Sequence, residues 1–436
     1  MAARSWKRGG QSCQLTPSVI IDPAMTAWKL QAQTLRHLAN PRAAAAGAAF
    51  PGELHAILSR RDGLAALAEI ETWPGYAPTP LRNLPGLARR LGLASLRYKD
   101  ESERFGLGSF KALGGAYAVY RYLAEVVRKQ RGVLPSAAAL IAGEHRDIAQ
   151  GLTVASATDG NHGRSVAWGA SLFGAKAIIY IHATVSEGRR AAIAAFGAEV
   201  RRTLGNYDDS VHRCAADAKA AGWQVISDTS YGDYVEVPRQ VMQGYCVMAE
   251  EALRQLAADG EQPPTHTFMQ AGCGGLAAAV IAYLWESWGP QRPRLIVVEP
   301  ERADCVYRSI EADRQVQVSG DLETIMAGLA CGEVSDVAWK ALRGAASDAL
   351  AIPDSLAVSA MQALAEGIDG DRPLVAGESG VGGLAGLLGA CADASLRRRL
   401  GLTSASRILL FGSEGDTDPA VYQQIVGRPA DAVRTA

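Results

Sequence analysis

Surplus charge of either sign is missing from this chain. Forty-four Lys and Arg stand against 45 Asp and Glu, a formal net charge of −1 over 436 residues. That balance excludes the basic footprint of a nucleic-acid binder and the polybasic patch of a protein held on an anionic membrane. Long apolar runs are missing as well, and no stretch reaches the roughly 20 residues that a bilayer-spanning helix needs. Cysteine is sparse: Cys13, Cys214, Cys246, Cys273, Cys305, Cys331 and Cys391 form no CxxC pair. The odd count and wide spacing suit a reducing, cytoplasmic compartment better than a disulfide framework. The seven histidines include no HxxxH or HxxEH pair, so no metal site is expected. Acids are lacking from residues 1 to 20, which carry Arg4, Lys7 and Arg8, but the apolar segment of a secretion signal is lacking too. Residues 1 to 50, with the alanine-rich stretch Ala43 to Ala49, read as a flexible N-terminal extension.

What is present is enough apolar material, 48% of the residues, for one large core split into two domains. Residues 53 to 70 carry helical apolar spacing. Pro74, Pro78 and Pro80 then force an extended path, either a connector or a cover over a site. From 123 to 230 short apolar strands alternate with helices, which reads as a small parallel α/β unit. Strand-to-helix alternation resumes beyond it. A large α/β domain is therefore expected from 51–122 and 231–436, with 123–230 as the small domain. No tandem repeat of solenoid period is found.

Four turns at strand ends stand out. In the first, Gly106 and Gly108 precede Ser109-Phe110-Lys111 and an apolar helix. Ser109 is an N-cap candidate, which places Lys111 in the first helical turn. There the helix dipole disfavours a positive charge, and burial under Phe110 works the same way, towards a neutral amine that can form a Schiff base with an aldehyde. Taken alone, a surface lysine at a helix start explains the motif as well. In the second, a strand ends in Thr158-Asp159-Gly160-Asn161-His162-Gly163 and a helix opens. Backbone N–H groups there suit a substrate carboxylate, and the Asn161 amide both donates and accepts, as a phenolic oxygen requires. Asp159 is out of place in an anion loop unless the ligand also carries a cation; the alternative is a helix cap. In the third, Gly272-Cys273-Gly274-Gly275-Leu276 puts three glycines in four residues at a strand-to-helix turn, a backbone able to close on a phosphate. It has neither Walker nor GxGxxG spacing. In the fourth, the last strand ends in Ser413-Glu414-Gly415-Asp416-Thr417-Asp418-Pro419. Asp228, at a further strand end, is either a turn residue or a site acid. Together these turns would hold an aldehyde carbon, a phenolic oxygen, a phosphate and a ring nitrogen, the requirements of pyridoxal phosphate.

On Ser109-Phe110-Lys111, Asp159-Gly160-Asn161-His162-Gly163 and Gly272-Cys273-Gly274-Gly275 the chain resembles the fold-type II pyridoxal-phosphate enzymes, the tryptophan-synthase-β and serine/threonine-dehydratase group. KDESERFGLGSFKALGGAYA, SATDGNHGRSVAWGA, SDTSYGDYVEVPRQVMQGY, MAGLACGE, GESG and SEGDTDP carry the likeness further, towards its diaminopropionate ammonia-lyase branch. The resemblance implies two parallel-sheet α/β domains with the cofactor between them, a homodimer, and a small amino-acid substrate. It implies that Lys111 holds the cofactor aldehyde and moves protons at Cα. It further implies that Phe110 packs beside the ring, Asn161 bonds its oxygen, Gly272 to Leu276 wrap the phosphate, Ser413 faces the ring nitrogen, and Glu378 lies near the ring. Thr158, Asp159, Gly160 and His162 would meet the substrate, and Asp159 and Asp228 would serve a β-ammonium group. The implied reaction is α,β-elimination of 2,3-diaminopropionate to pyruvate and ammonia, with the D-isomer open beside the L-isomer. Elimination from serine, threonine or 3-hydroxyaspartate, and a metabolite-binding pseudoenzyme, stand as the alternatives.

Overall fold

The structure is a computed structural model and describes residues 32–158, 160–205 and 207–436. Among the described residues eleven strands form two sheets. They are β1 (Arg36–Ala39), β2 (Leu81–Asn83), β3 (Ser95–Asp100), β4 (Thr153–Thr158), β5 (Lys176–Ile181), β6 (Glu199–Arg202), β7 (Gln224–Val225), β8 (His266–Gln270), β9 (Arg294–Pro300), β10 (Asp348–Ile352) and β11 (Arg407–Gly412). The larger sheet runs β1-β10-β9-β8-β11-β3-β2 and the smaller β6-β5-β4-β7. All neighbours pair in parallel except the two outermost of the larger sheet, β1 on β10 and β2 on β3.

Central strands of the larger sheet read as continuous apolar runs because both of their faces are covered. Leu295 and Val297 of β9 and Leu409 and Phe411 of β11 join one apolar cluster. Their alternates Ile296, Val298, Ile408 and Leu410 join the other. Residues 36–39, assigned by the sequence to the N-terminal extension, instead extend this sheet. There His37 Nε2 lies 2.9 Å from the buried Asp348 carboxylate. Residues 1–31 lie outside the described residues.

The helix Lys111–Arg131 packs between helices Asn161–Phe173 and Glu236–Ala258, and so ties the two sheets together. Small residues allow the close approach. A methyl group at Gly114 would run into the Tyr245 ring and come within 2.7 Å of the Val241 carbonyl, and one at Gly244 would reach 2.6 Å from the Leu113 carbonyl. The position of Lys111 is therefore fixed by backbone-to-backbone packing rather than by adjustable side chains.

Behind β3 lies a buried ionic cluster. Arg104 Nε and Nη2 donate to Glu101 at 2.8 Å each, and Nη1 and Nη2 donate to Glu251 at 2.9 and 2.7 Å. Lys99 Nζ adds a 2.6 Å contact to Glu251. Two cations thus balance two carboxylates beneath the loop that leads to Lys111.

Candidate active site

Turns at the C-terminal ends of β3, β4, β7, β8 and β11 meet in one place, where open parallel sheets gather ligands. Phe110 N–H donates to the Ser413 carbonyl at 2.9 Å, and Ser109 pairs with Glu414 in a β-bridge. Ser109 Oγ accepts the Lys111 N–H at 3.3 Å. The helix proper starts at Lys111, with Phe110 already in helical conformation, so Ser109 serves the first turn one residue earlier than a simple cap.

Lys111 Nζ pairs with the Asp228 carboxylate. It lies 5.3 Å from the Phe110 ring centre and 5.7 Å from that of Tyr245, and those rings pack on each other at 4.6 Å. The expectation of a neutral amine is overturned. Burial does push the Lys111 ammonium down, but Asp228, with Tyr245 and Cys273, outweighs it and holds the group well above its ordinary range. The Asp228 carboxyl is correspondingly held well below the carboxylate range: burial opposes this, and Lys111 and His162 overcome it. His162 Nε2 donates to the Ile226 carbonyl at 3.0 Å and its Nδ1 lies 3.8 Å from Asp228. His162 thus touches the acid at the Lys111 amine. Thr158 is buried, and its Oγ1 accepts from Gly160 and Gly163 at 3.0 and 3.2 Å, which shapes the loop. Asp159 lies outside the described residues.

The glycine turn follows β8. Gly274 adopts φ +89°, open to glycine at little cost, and the helix Gly275–Trp288 starts after it with Leu276 in its first turn. A Cβ at Gly275 would stand 3.6 Å from the Asp228 carbonyl. The turn therefore lies directly beside the lysine–aspartate pair, and at Gly275 no described atom comes nearer than 3.6 Å to the place a Cβ would take. Cys273 departs from an all-glycine loop and brings a thiol. Cys331, hydrogen-bonded to it, together with Lys111 and Thr229, lowers it to about 7 against burial and Asp228.

On the other side, Asn161 Nδ2 donates to Glu414 Oε2 at 2.6 Å, and Glu414 Oε1 accepts the Ser379 N–H at 3.1 Å. Ser413 Oγ accepts from Gln270 Nε2 at 2.9 Å, and the buried Gln270 Oε1 has no hydrogen-bond partner among the described residues. Glu378 is buried next to Glu414. Burial and then the Glu414 charge push it up to about 8, while Arg189, 3.8 Å away, pulls the other way. Sequence reasoning missed Glu414, Tyr245 and Arg189. The first follows Ser413 directly in the SEGDTDP segment and the second closes the segment ending in QGY; nothing marks Arg189.

The residues fit a pyridoxal phosphate. A lysine amine, a glycine turn opening a helix, an asparagine amide and a serine hydroxyl bonded to a half-satisfied glutamine converge here, and no cluster of His, Cys, Asp and Glu among the described residues could hold a metal instead.

Residues 72–410 match the family described as "Pyridoxal-phosphate dependent enzyme", and the chain belongs to that family. Its fold is the fold-type II arrangement. Within the family it stands with the diaminopropionate ammonia-lyases. It is 42% identical to that of Salmonella typhimurium over 387 residues, 87% of this chain and 96% of the relative. A crystal structure of the holo Escherichia coli diaminopropionate ammonia lyase superposes with a TM-score of 0.82 at 35% identity, covering 91% of this chain and 98% of that one. The same lyase in complex with an aminoacrylate-PLP azomethine reaction intermediate superposes at 0.80, again at 35% identity and covering 91% and 98%.

Proposed function

We propose that this protein is a carbon–nitrogen lyase that eliminates ammonia from 2,3-diaminopropionate. The observation that carries the reading is the charged Lys111–Asp228 pair set beside a glycine turn that opens a helix, in a chain aligned with diaminopropionate ammonia-lyases over nearly its whole length. Pyridoxal phosphate, when bound, supplies the electron sink that makes the Cα proton removable. Lys111 would hold it by its aldehyde carbon, Gly272 to Leu276 by its phosphate, Asn161 by its ring oxygen and Ser413 by its ring nitrogen, with Phe110 packed beside the ring and Glu378 close to it.

Displaced from the aldehyde carbon by the substrate amine, Lys111 would be a neutral amine and would take the proton from Cα. Asp228 orients the Lys111 amine and offers a carboxylate to a cationic β-ammonium, a group that a hydroxyl-eliminating enzyme does not meet. Asp159 is assigned the same β-ammonium from its place in the loop sequence, and a site carboxylate in place of Lys111 would serve Cα of the second enantiomer. The substrate carboxylate lies against Thr158, Gly160 and His162. Breaking the β C–N bond releases one ammonia, and water then converts the released enamine to pyruvate and a second ammonia. The ledger is one diaminopropionate and one water to one pyruvate and two ammonia.

Assembly as a homodimer and a cytoplasmic location belong to the same proposal. The described cysteines are all free, as suits a reducing compartment, and no helix among the described residues is long and apolar enough to cross a membrane. Light scattering of the purified protein tests the assembly. The test of function is product release from holoenzyme given L- and D-2,3-diaminopropionate, L-serine and L-threonine. Pyruvate with two ammonia per diaminopropionate is expected. Turnover of a hydroxy amino acid with none of diaminopropionate would overturn the assignment.

A further inference from the structure

A cavity of roughly 650 Å³ shares Arg189 with the site described above and otherwise lies beside it. Its walls are the loop ahead of Lys111, the helix that begins at Asn161, the start of helix Glu187–Ala194, and the segment after Glu414. It abuts the active site. Thr417 on its wall contacts Glu414 Oε2 at 3.4 Å, and a Cβ at Gly160 would come within 3.3 Å of Arg189 on its wall.

The lining carries three arginines and three acids, and they are not evenly matched. Arg434 pairs with Asp416 and lies 3.8 Å from Glu103. Arg189 lies 3.8 Å from Asp418 and from Glu378. Arg164 has no acid partner among the described residues. Its Nη1 donates to the Leu107 carbonyl at 2.9 Å, and its buried Nε has no hydrogen-bond partner among the described residues. Burial works against its charge and no described residue offsets it, yet a guanidinium does not shed its proton. A half-buried, uncompensated guanidinium in a cavity of small-molecule size is a receptor for a carboxylate.

We propose that this cavity is an outer subsite that receives the amino-acid substrate by its carboxylate on Arg164 before the substrate passes to Lys111. The proposal rests on the amino-acid lyase reading but not on which β-substituent leaves. Arg164 lies three residues after Asn161, so a substrate held there is already at the mouth of the reacting centre. The matched acids around it keep the cavity from trapping the anion.

The test uses holoenzyme and whichever amino acid the panel above shows to be turned over, so failure of the diaminopropionate assignment leaves it intact. Arg164→Gln and Arg164→Lys are compared with the unaltered protein for KM and kcat, from low salt to about 0.3 M NaCl. Loss of one charge-assisted contact predicts a KM about tenfold higher in Arg164→Gln, with kcat within about twofold. The rise of KM with salt seen in the unaltered enzyme should disappear in Arg164→Gln. Arg164→Lys should retain that rise and keep KM within about threefold. An unchanged KM in Arg164→Gln, or a fall in kcat at constant KM, overturns the proposal. Should Arg164→Gln not fold, the other two proteins decide: a KM indifferent to salt in the unaltered enzyme overturns it equally.

Discussion

Glu251→Gln tests whether the buried cluster behind β3 works as a balanced set of charges. Glu251 accepts from both Arg104 terminal nitrogens, from Lys99, from the Thr79 N–H at 3.1 Å and from the Tyr76 hydroxyl at 3.1 Å. Burial would raise its carboxyl, but Arg104 and Lys99 hold it below the usual range. The amide removes one negative charge and leaves Arg104 and Lys99 facing Glu101 alone. Removing one partner of a buried ion pair costs about 3–5 kcal/mol, a roughly 150- to 4000-fold fall in the ratio of folded to unfolded protein. Arg104 cannot release its proton, whereas Lys99 can, and burial already lowers the Lys99 pKa. A cation depressed in the folded state binds fewer protons there than in the unfolded chain, so stability rises with pH up to the unfolded lysine value of about 10.4. The variant should depress Lys99 further, and its penalty should shrink as pH rises from neutrality towards the unfolded lysine value of about 10.4, as Arg104 and Glu101 become a balanced pair. Urea unfolding of both proteins across that range measures the difference. A loss under about 1 kcal/mol at neutrality, or a penalty that does not shrink with pH, would refute the reasoning.

Lys111→Ala should abolish both cofactor attachment, read as visible absorbance, and elimination, read as a fall of at least about 1000-fold in pyruvate release. Substantial elimination by that variant would remove Lys111 from its central place. Glu414→Gln should weaken the hold on Asn161 and lower kcat/KM about ten- to a hundredfold, the range for a hydrogen bond to a charged group; unchanged kinetics would show that the contact positions nothing. Glu378, raised to about 8 by burial and the neighbouring Glu414, keeps its proton in the folded chain after the unfolded chain has lost it. Rising pH therefore removes stability between about 4.3 and about 8. Glu378→Gln, which has no proton to lose, should gain in urea midpoint on the unaltered protein across that window, and the opposite trend would sink the assignment.

Strands such as Arg294–Pro300 were legible because their apolar β-branched runs end in turn residues. β10 was not: Asp348–Ile352 reads DALAI, without a β-branched run, and is a strand because β1 and β9 flank it. β1 and β2, at four and three residues, fall below any periodic signal. The site loops could be found because each places glycine or a capping residue between a strand and a helix. Their partners could not. The Asn161–Glu414 contact joins positions 253 apart, and Lys111–Asp228 positions 117 apart. The neutral lysine expected from the helix dipole failed for that reason: local logic saw burial and dipole but not the carboxylate brought from a distant strand end.

The outermost strands of the larger sheet have a bearing on how copies of the protein can meet. A long, straight outer strand leaves a row of N–H and C=O groups on which a second chain can crystallise its own backbone. Here both borders are short and reversed in direction, and prolines 80 and 85 closely flank one of them. Little unpaired ladder is left for growth by strand addition. Recognition between copies is thereby directed to helical and loop surfaces, where side chains rather than backbone choose the partner.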